Sequence, residues 1–341
     1  MNEEQLKQWA LDLLGIDSPT GYAHHAIEWI AQRLSAMGYR CTQSAKGNLI
    51  VEVEGSGEGA AMAVSAHVDT LGLMVRSIKS GGTLALTRLG GPCLPTLDGE
   101  YCTVITRSGR RISGTILSVS PSVHVYPDAA TLPRTEQNME IRLDELVQDE
   151  QQVRQLGIQA GDIVAIDPKT TITDSGFIKS RFLDDKISAA LILTLLQQWH
   201  QDGRKPRCKT FFLFSTYEEV GHGASWIPAE VREMLAVDMG CVGSDLNCTE
   251  TQVSICAKDS SGPYDYGMTS RLIELAQTLQ IPYAVDIYPA YGSDCSAALR
   301  GGNDIRAALI GPGVHASHGM ERTHLQGVKA AYQLLEAYLT Q

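Results

Sequence analysis

His67 and Asp69 stand one residue apart at the carboxyl end of an apolar run, Ala61-Met-Ala-Val-Ser-Ala-His-Val-Asp-Thr70. In an extended strand residues i and i+2 share a face. A metal-bound imidazole works best when its second ring nitrogen donates to a carboxylate, which fixes the tautomer and raises ligand basicity. Asp69 is therefore a candidate to aim His67 at a cation, although the same dyad also serves as a plain hydrogen-bonded pair. Two further apolar runs end in acidic residues: 210–216 leads into Thr216-Tyr-Glu-Glu-Val-Gly221, and 233–238 closes on Ala236-Val-Asp238. Open α/β sheets place ligands at this carboxyl edge. Glu218-Glu219 also reads as a solvated acidic turn, and Asp238 as a capped or ion-paired carboxylate, since a charge at a core edge needs a partner.

Leu183-Asp-Asp-Lys186 precedes a helix expected over 186–201, where aspartate is a favoured N-cap. Both roles fit together, with Asp185 capping and Asp184 turned to a cation. The glycine-rich loop Ile310-Gly-Pro-Gly-Val-His-Ala-Ser-His-Gly-Met-Glu-Arg-Thr-His324 holds three of the nine histidines, His315, His318 and His324, and that clustering favours ligand duty. Histidine, aspartate and glutamate without thiolate suit zinc, cobalt or manganese rather than an iron–sulfur or copper centre. A carboxylate shared by two cations about 3.5 Å apart is the arrangement of hydrolytic two-metal sites. A spare carboxylate beside a ligand then becomes the general base.

Positioning such residues takes a large core, and 341 residues with 43% hydrophobic and 20% charged content supply one, in roughly two domains. The net charge of −11 and the brevity of the densest basic stretch, Arg204-Lys-Pro-Arg-Cys-Lys209, argue against nucleic acid as a partner. Eight cysteines without a C-x-x-C pair read as reduced thiols. No basic leader and no run of roughly 18 apolar residues is present, so a cytoplasmic protein without a membrane partner is expected.

Helical spacing marks 3–14 and 22–38, and strand-like runs mark 48–53 and 61–66, with Gly55-Ser-Gly-Glu-Gly59 read as a glycine hairpin between them. From 75 to 172 short alternating runs are punctuated by Gly and Pro, the texture of an inserted β-barrel or sandwich. Beyond it, helices (186–201, 268–279, 293–300, 325–339) alternate with strands (210–216, 233–238, 283–288, 305–310), which implies a mixed sheet flanked by helices. The expected domains are a catalytic α/β unit of 1–74 and 173–341 and an inserted β unit of 75–172. Tyr291-Gly-Ser-Asp294 either lines a pocket or caps the helix 293–300, and an Asp294 N-cap is the preferred reading.

Ala66-His-Val-Asp-Thr-Leu-Gly-Leu-Met-Val75, Ser180-Arg-Phe-Leu-Asp-Asp-Lys186, Tyr217-Glu-Glu-Val-Gly221, Ala236-Val-Asp238 and the His318 loop, in that order, resemble the M42 family of metallo-aminopeptidases, with Pro121-Ser-Val-His124 adding a further family-like motif. The resemblance implies a hydrolase with two divalent ions per subunit, zinc or cobalt ahead of manganese, on an α/β domain whose β insert serves oligomerisation, and a homo-oligomer, a dodecameric tetrahedral shell. By the same resemblance Asp184 bridges the ions, His67 and Asp238 complete one, Glu219 and His318 the other, and Asp69 backs His67. Glu218 is the implied base acting on a metal-bridging water, and short peptides losing their first residue are the implied substrates. The family pattern has a His-Ser pair where this chain has Ser317-His318-Gly319, so His315 and His324 stay in contention with His318. Asp259–Tyr266 and Ser317–His324 resemble a subgroup associated with synthesis of an acetylated glutaminylglutamine osmoprotectant. An amidase or deacylase of N-acylated dipeptides on the same ions, and a catalytically silent metal-binding assembly protein, are the rival readings.

Overall fold

The computed structural model describes residues 1–341, which divide into two compact units, Met1–Asp69 with Lys169–Gln341, and Thr70–Pro168. The first unit opens with α1 (Glu3–Leu14), α2 (His24–Ala36), β1 (Arg40–Gln43), β2 (Leu49–Val53) and β3 (Ala61–His67). Asn2 caps α1 by accepting the N–H of Gln5, and Leu6, Ala10, Leu13 and Leu14 form its buried stripe. Every residue of β3 is buried, as expected of a strand covered on both faces.

The second unit carries β4 (Gly72–Ile78), β5 (Leu84–Leu89), β6 (Tyr101–Ile105), β7 (Arg111–Ser118), β8 (Met139–Leu143), α3 (Glu150–Gln155) and β9 (Ile163–Ile166). Its strands close into a six-stranded barrel in the order β4-β5-β8-β7-β6-β9. Alternating Val104, Ile116, Ile141 and Val164 fill the interior, and closure removes the edge strands.

The first unit resumes with β10 (Thr171–Ile172), β11 (Phe177–Ser180), α4 (Leu183–Asp202), β12 (Thr210–Ser215), β13 (Val231–Val237), β14 (Gly240–Val242), β15 (Val253–Asp259), β16 (Gly262–Pro263), α5 (Tyr266–Thr278), β17 (Tyr283–Ile287), α6 (Asp294–Arg300), β18 (Arg306–His315), β19 (Glu321–His324) and α7 (Leu325–Thr340). Helix α4 is apolar almost all round and buried from Leu183 to Leu196, because it lies against both α1 and β3. No helix is long and apolar enough to cross a membrane.

The main sheet runs β1-β2-β12-β3-β13-β18-β19-β11-β10, with β14 to β17 attached beside β18. Strand β12 pairs parallel with β3 and antiparallel with β2, so it separates two strands that are consecutive in sequence. The hairpin expected at Gly55–Gly59 is thus corrected to a crossing connection. Gly55 is needed there for proximity, since a Cβ would collide with the backbone of Cys208. The pairing that matters most is β12-β3-β13, three adjacent parallel strands whose carboxyl ends fall on one edge.

Candidate metal centre

The edge of β12-β3-β13 collects the expected residues. His67 closes β3, Glu218 and Glu219 lie in the short 3-10 turn just after β12, and Asp238 immediately follows β13. Asp184 arrives from the start of α4, and His318 from the turn between β18 and β19. Regular helical geometry in α4 begins only after Asp185, and the Asp184–Asp185 peptide is cis.

His67, Asp184 and Asp238, all buried, each bring one ligand atom within 4.8 Å of the others. His67 Nδ1 lies 2.9 Å from the backbone carbonyl oxygen of Asp69, so this nitrogen carries the proton and donates it there. That tautomer leaves a lone pair on Nε2, which faces Asp184 Oδ1 at 3.0 Å. Two lone pairs at that separation require a proton or a cation between them. On the other side of Asp184, Oδ2 lies 3.7 Å from His318 Nε2, and His318 Nε2 is also 3.7 Å from Glu219 Oε2. Glu219 Oε1 is buried without a hydrogen-bond partner. A nitrogen and oxygen donor set with an orphaned buried carboxylate oxygen fits divalent cations of the zinc type.

The electrostatics agree with that fit. Burial, reinforced by neighbouring carboxylates, pushes Glu218 and Glu219 well above the usual carboxylate range. Burial and then the Asp184 charge raise Asp238 to about 7. Burial also opposes the charge on Asp184, but the hydrogen bond and charge of His67 hold that carboxyl below its ordinary value. His67 is drawn up in turn by Asp184, Glu218 and Asp238, against its own burial. Without a cation, this cluster must hold protons.

Several residues take partners other than those expected. The Asp69 carboxylate is 3.7 Å from His67 Nδ1, outside hydrogen-bond range; it accepts instead the backbone N–H groups of Glu218 at 3.1 Å and Glu219 at 3.3 Å. Asp69 therefore orients His67 through its main chain and the glutamate turn through its side chain. Asp185 does not cap α4, because its Oδ2 accepts the N–H of His67 at 3.2 Å while Oδ1 has no hydrogen-bond partner. Ser293, not Asp294, caps α6 through a capping box with Ser296. Asp294 is buried and accepts from Ser215 Oγ and the Ala224 N–H, bracing both ends of the segment that carries the two glutamates. Of the rival histidines, His324 accepts the Gln326 N–H as the N-cap of α7 with its other ring nitrogen on the Ser175 carbonyl, and His315 is exposed at the end of β18. Only His318 approaches Asp184 and Glu219.

One buried carboxylate was not singled out from the sequence. Glu321, at the start of β19, accepts the N–H of Asp184 at 3.0 Å and of His318 at 3.1 Å. Its place three residues after His318 was the available signal, but its partner Asp184 lies 137 residues away. Beside these residues opens a cleft of about 680 Å³, lined also by Met239, Ser260, Tyr291 and Arg300.

A family model described as M42 glutamyl aminopeptidase matches residues 47–334. YhfE of Bacillus subtilis strain 168, which carries an aminopeptidase designation, is 45% identical over 329 residues, covering 96% of this chain and 95% of its own length. Among solved structures, a TET aminopeptidase from Thaumarchaeota archaeon SCGC AB-539-E09 superposes with a TM-score of 0.90 at 18% identity, over 100% of this chain and 97% of the other. A TET1 peptidase of Pyrococcus horikoshii, described as assembling into a tetrahedron or a large octahedral shell, superposes with a TM-score of 0.86 at 21% identity, over 98% and 99%. At those identities the two structures establish the shared fold.

Proposed function

Since the chain belongs to the M42 family of glutamyl aminopeptidases, a metal-dependent family of hydrolases, we propose that its α/β unit removes the first residue of short peptides with two divalent ions held between His67, Asp184, Glu219, Asp238 and His318. The observation that carries this reading is the placement of Asp184. Its Oδ1 meets His67 and its Oδ2 faces His318, so the two oxygens address separate ligand groups as a bridging carboxylate must. His67 and Asp238 would hold one ion, and Glu219 and His318 the other. Zinc or cobalt suits the set best, with manganese next.

When bound, the ions would supply Lewis acidity that acidifies water and stabilises charge on the scissile carbonyl. The chain's own part in proton movement falls to Glu218. Its Oε2 lies 3.7 Å from His67 Nε2, beside the ligands, and its raised proton affinity, caused by burial, suits a group that accepts a proton and returns it to the leaving amine. Asp69 keeps Glu218 and Glu219 in register through their backbone amides.

The protein is further proposed to act as a homo-oligomer, a dodecamer in keeping with the TET peptidases of similar fold, and in the cytoplasm, a setting supported by its eight unpaired thiols. Light scattering of the full chain measures the particle mass. Turnover of free-amine and N-acetylated peptides with zinc, cobalt or manganese added tests the activity. Release of free first residues from unblocked peptides is the expected result; cleavage of acetylated dipeptides alone would move the protein to the amidase or deacylase class.

A further inference from the structure

We infer that Lys46, in the turn between β1 and β2, is a positioning residue for Glu218, fixing the backbone segment that carries the proposed base; this rests on the aminopeptidase reading. The segment 216–225 follows β12 and has no regular structure beyond the 3-10 turn of Glu218–Val220. A base carried on such a segment needs its backbone held by neighbouring elements. The N–H groups of the segment are taken by anions, Asp69 accepting from Glu218 and Glu219 and Asp294 from Ala224. Two of its carbonyl groups are taken by a cation.

Lys46 Nζ donates to the carbonyls of His222 and Gly223, the latter at 2.9 Å, and to Ser225 Oγ at 2.8 Å. An ammonium has three donors, and these three acceptors match them. The Lys46 carbonyl accepts Thr216 Oγ1 at 3.3 Å, so the same residue grips both ends of the segment. Asn48, buried two residues on, donates Nδ2 to the Gly223 carbonyl at 2.9 Å, and its Oδ1 accepts the Thr216 N–H at 3.0 Å. Gly223 is the link to the base. A Cβ there would stand 3.2 Å from both the nitrogen and the Cα of Glu218, so any shift of Gly223 is passed to the Glu218 main chain with little slack. Burial works against the Lys46 charge, while the carboxylates of Asp294 and Asp69 work for it. Two anions and one cation therefore hold opposite poles of one segment. Lys46 does not line the cleft, so replacing it leaves the substrate's contacts in place.

A double-mutant cycle in the full-length enzyme, with zinc supplied and leucyl p-nitroanilide as substrate, combines Lys46→Met with Glu218→Gln. Lys46→Met is expected to lower kcat roughly ten- to a hundredfold, with KM within about threefold of wild type and both ions retained on elemental analysis. In the Glu218→Gln background the same change should cost less than about threefold, because a base that is absent cannot be misplaced. Lys46→Arg, which keeps the charge and the donors, should recover most of the lost kcat. Equal losses in the two backgrounds, the mark of a lysine that only stabilises the fold, would overturn the inference, as would wild-type kcat in Lys46→Met. If Lys46→Met does not fold, Lys46→Gln runs the same cycle. Hydrogen exchange of the metal-free protein reads the clamp without catalysis: the amides of 216–225 should exchange faster in the variant, and unchanged exchange there would also overturn it. A wild type that exchanges as expected but cleaves no free-amine substrate removes the aminopeptidase reading while the clamp stands; an active wild type with an additive cycle removes only the role of Lys46.

Discussion

The carboxylate of Glu321 accepts the backbone N–H of Asp184 at 3.0 Å, and its second oxygen accepts that of His318 at 3.1 Å. One buried side chain thus sets the spacing of two candidate ligands that belong to different elements. Glu321→Gln presents an amide N–H to one of those donors, leaving a buried N–H unpaired. Metal affinity should fall by roughly 10- to 100-fold with the fold intact. Calorimetric titration of zinc into the chelator-treated variant, with circular dichroism as the folding control, checks this; wild-type affinity would refute the spacing role.

Glu218 is assigned proton transfer and no metal. Glu218→Gln should keep both ions by elemental analysis and lose about 10²- to 10⁴-fold in kcat. A variant turning over within a few-fold of wild type would take Glu218 out of the mechanism.

Asp238 holds its proton up to about 7 in the metal-free folded chain, because of burial and then the charge of Asp184, whereas an unfolded aspartate releases it near ~3.9. Between those values the folded state binds the extra proton, so this contribution to stability is complete at low pH and is lost as pH rises through about 7. A divalent ion replaces that proton, and its stabilising effect must grow in the same direction. The rise in Tm on adding zinc to chelator-treated protein should be larger at pH 8 than at pH 5. An equal or larger rise at pH 5 would contradict the assignment of Asp238 as a ligand.

Gly311, in β18, lies so close to the main chain of Asp238 that an added Cβ would overlap the Asp238 carbonyl oxygen. Backbone cannot yield as a flexible side chain does, so Gly311→Ala should cost at least about 1–3 kcal/mol and shift Asp238. Denaturant unfolding together with zinc affinity measures both effects. Stability within a few tenths of a kcal/mol of wild type would show that the strands separate more freely than their packing indicates.

Much of this was legible in the chain itself. Apolar periodicity marked every helix of the α/β unit and the strands β2, β3, β12, β13, β17 and β18, since a buried face repeats every two or every 3.6 residues regardless of what covers it, but it left β1, β10, β11, β14, β15, β16 and β19 unmarked. The acidic and histidine residues closing those runs stood out because charge at the end of an apolar strand needs a partner. Tertiary structure alone decided which partners these groups take. That β12 lies between β2 and β3 follows from long-range pairing, which local glycines do not encode. That Asp69 turns its carboxylate to Glu218 and Glu219, that Asp185 meets the His67 N–H, and that Glu321 joins Asp184 to His318 depend on backbone amides brought together from segments up to 150 residues apart. A carboxylate's type declares only that it must be satisfied when buried; the donor that satisfies it exists only once the chain has folded.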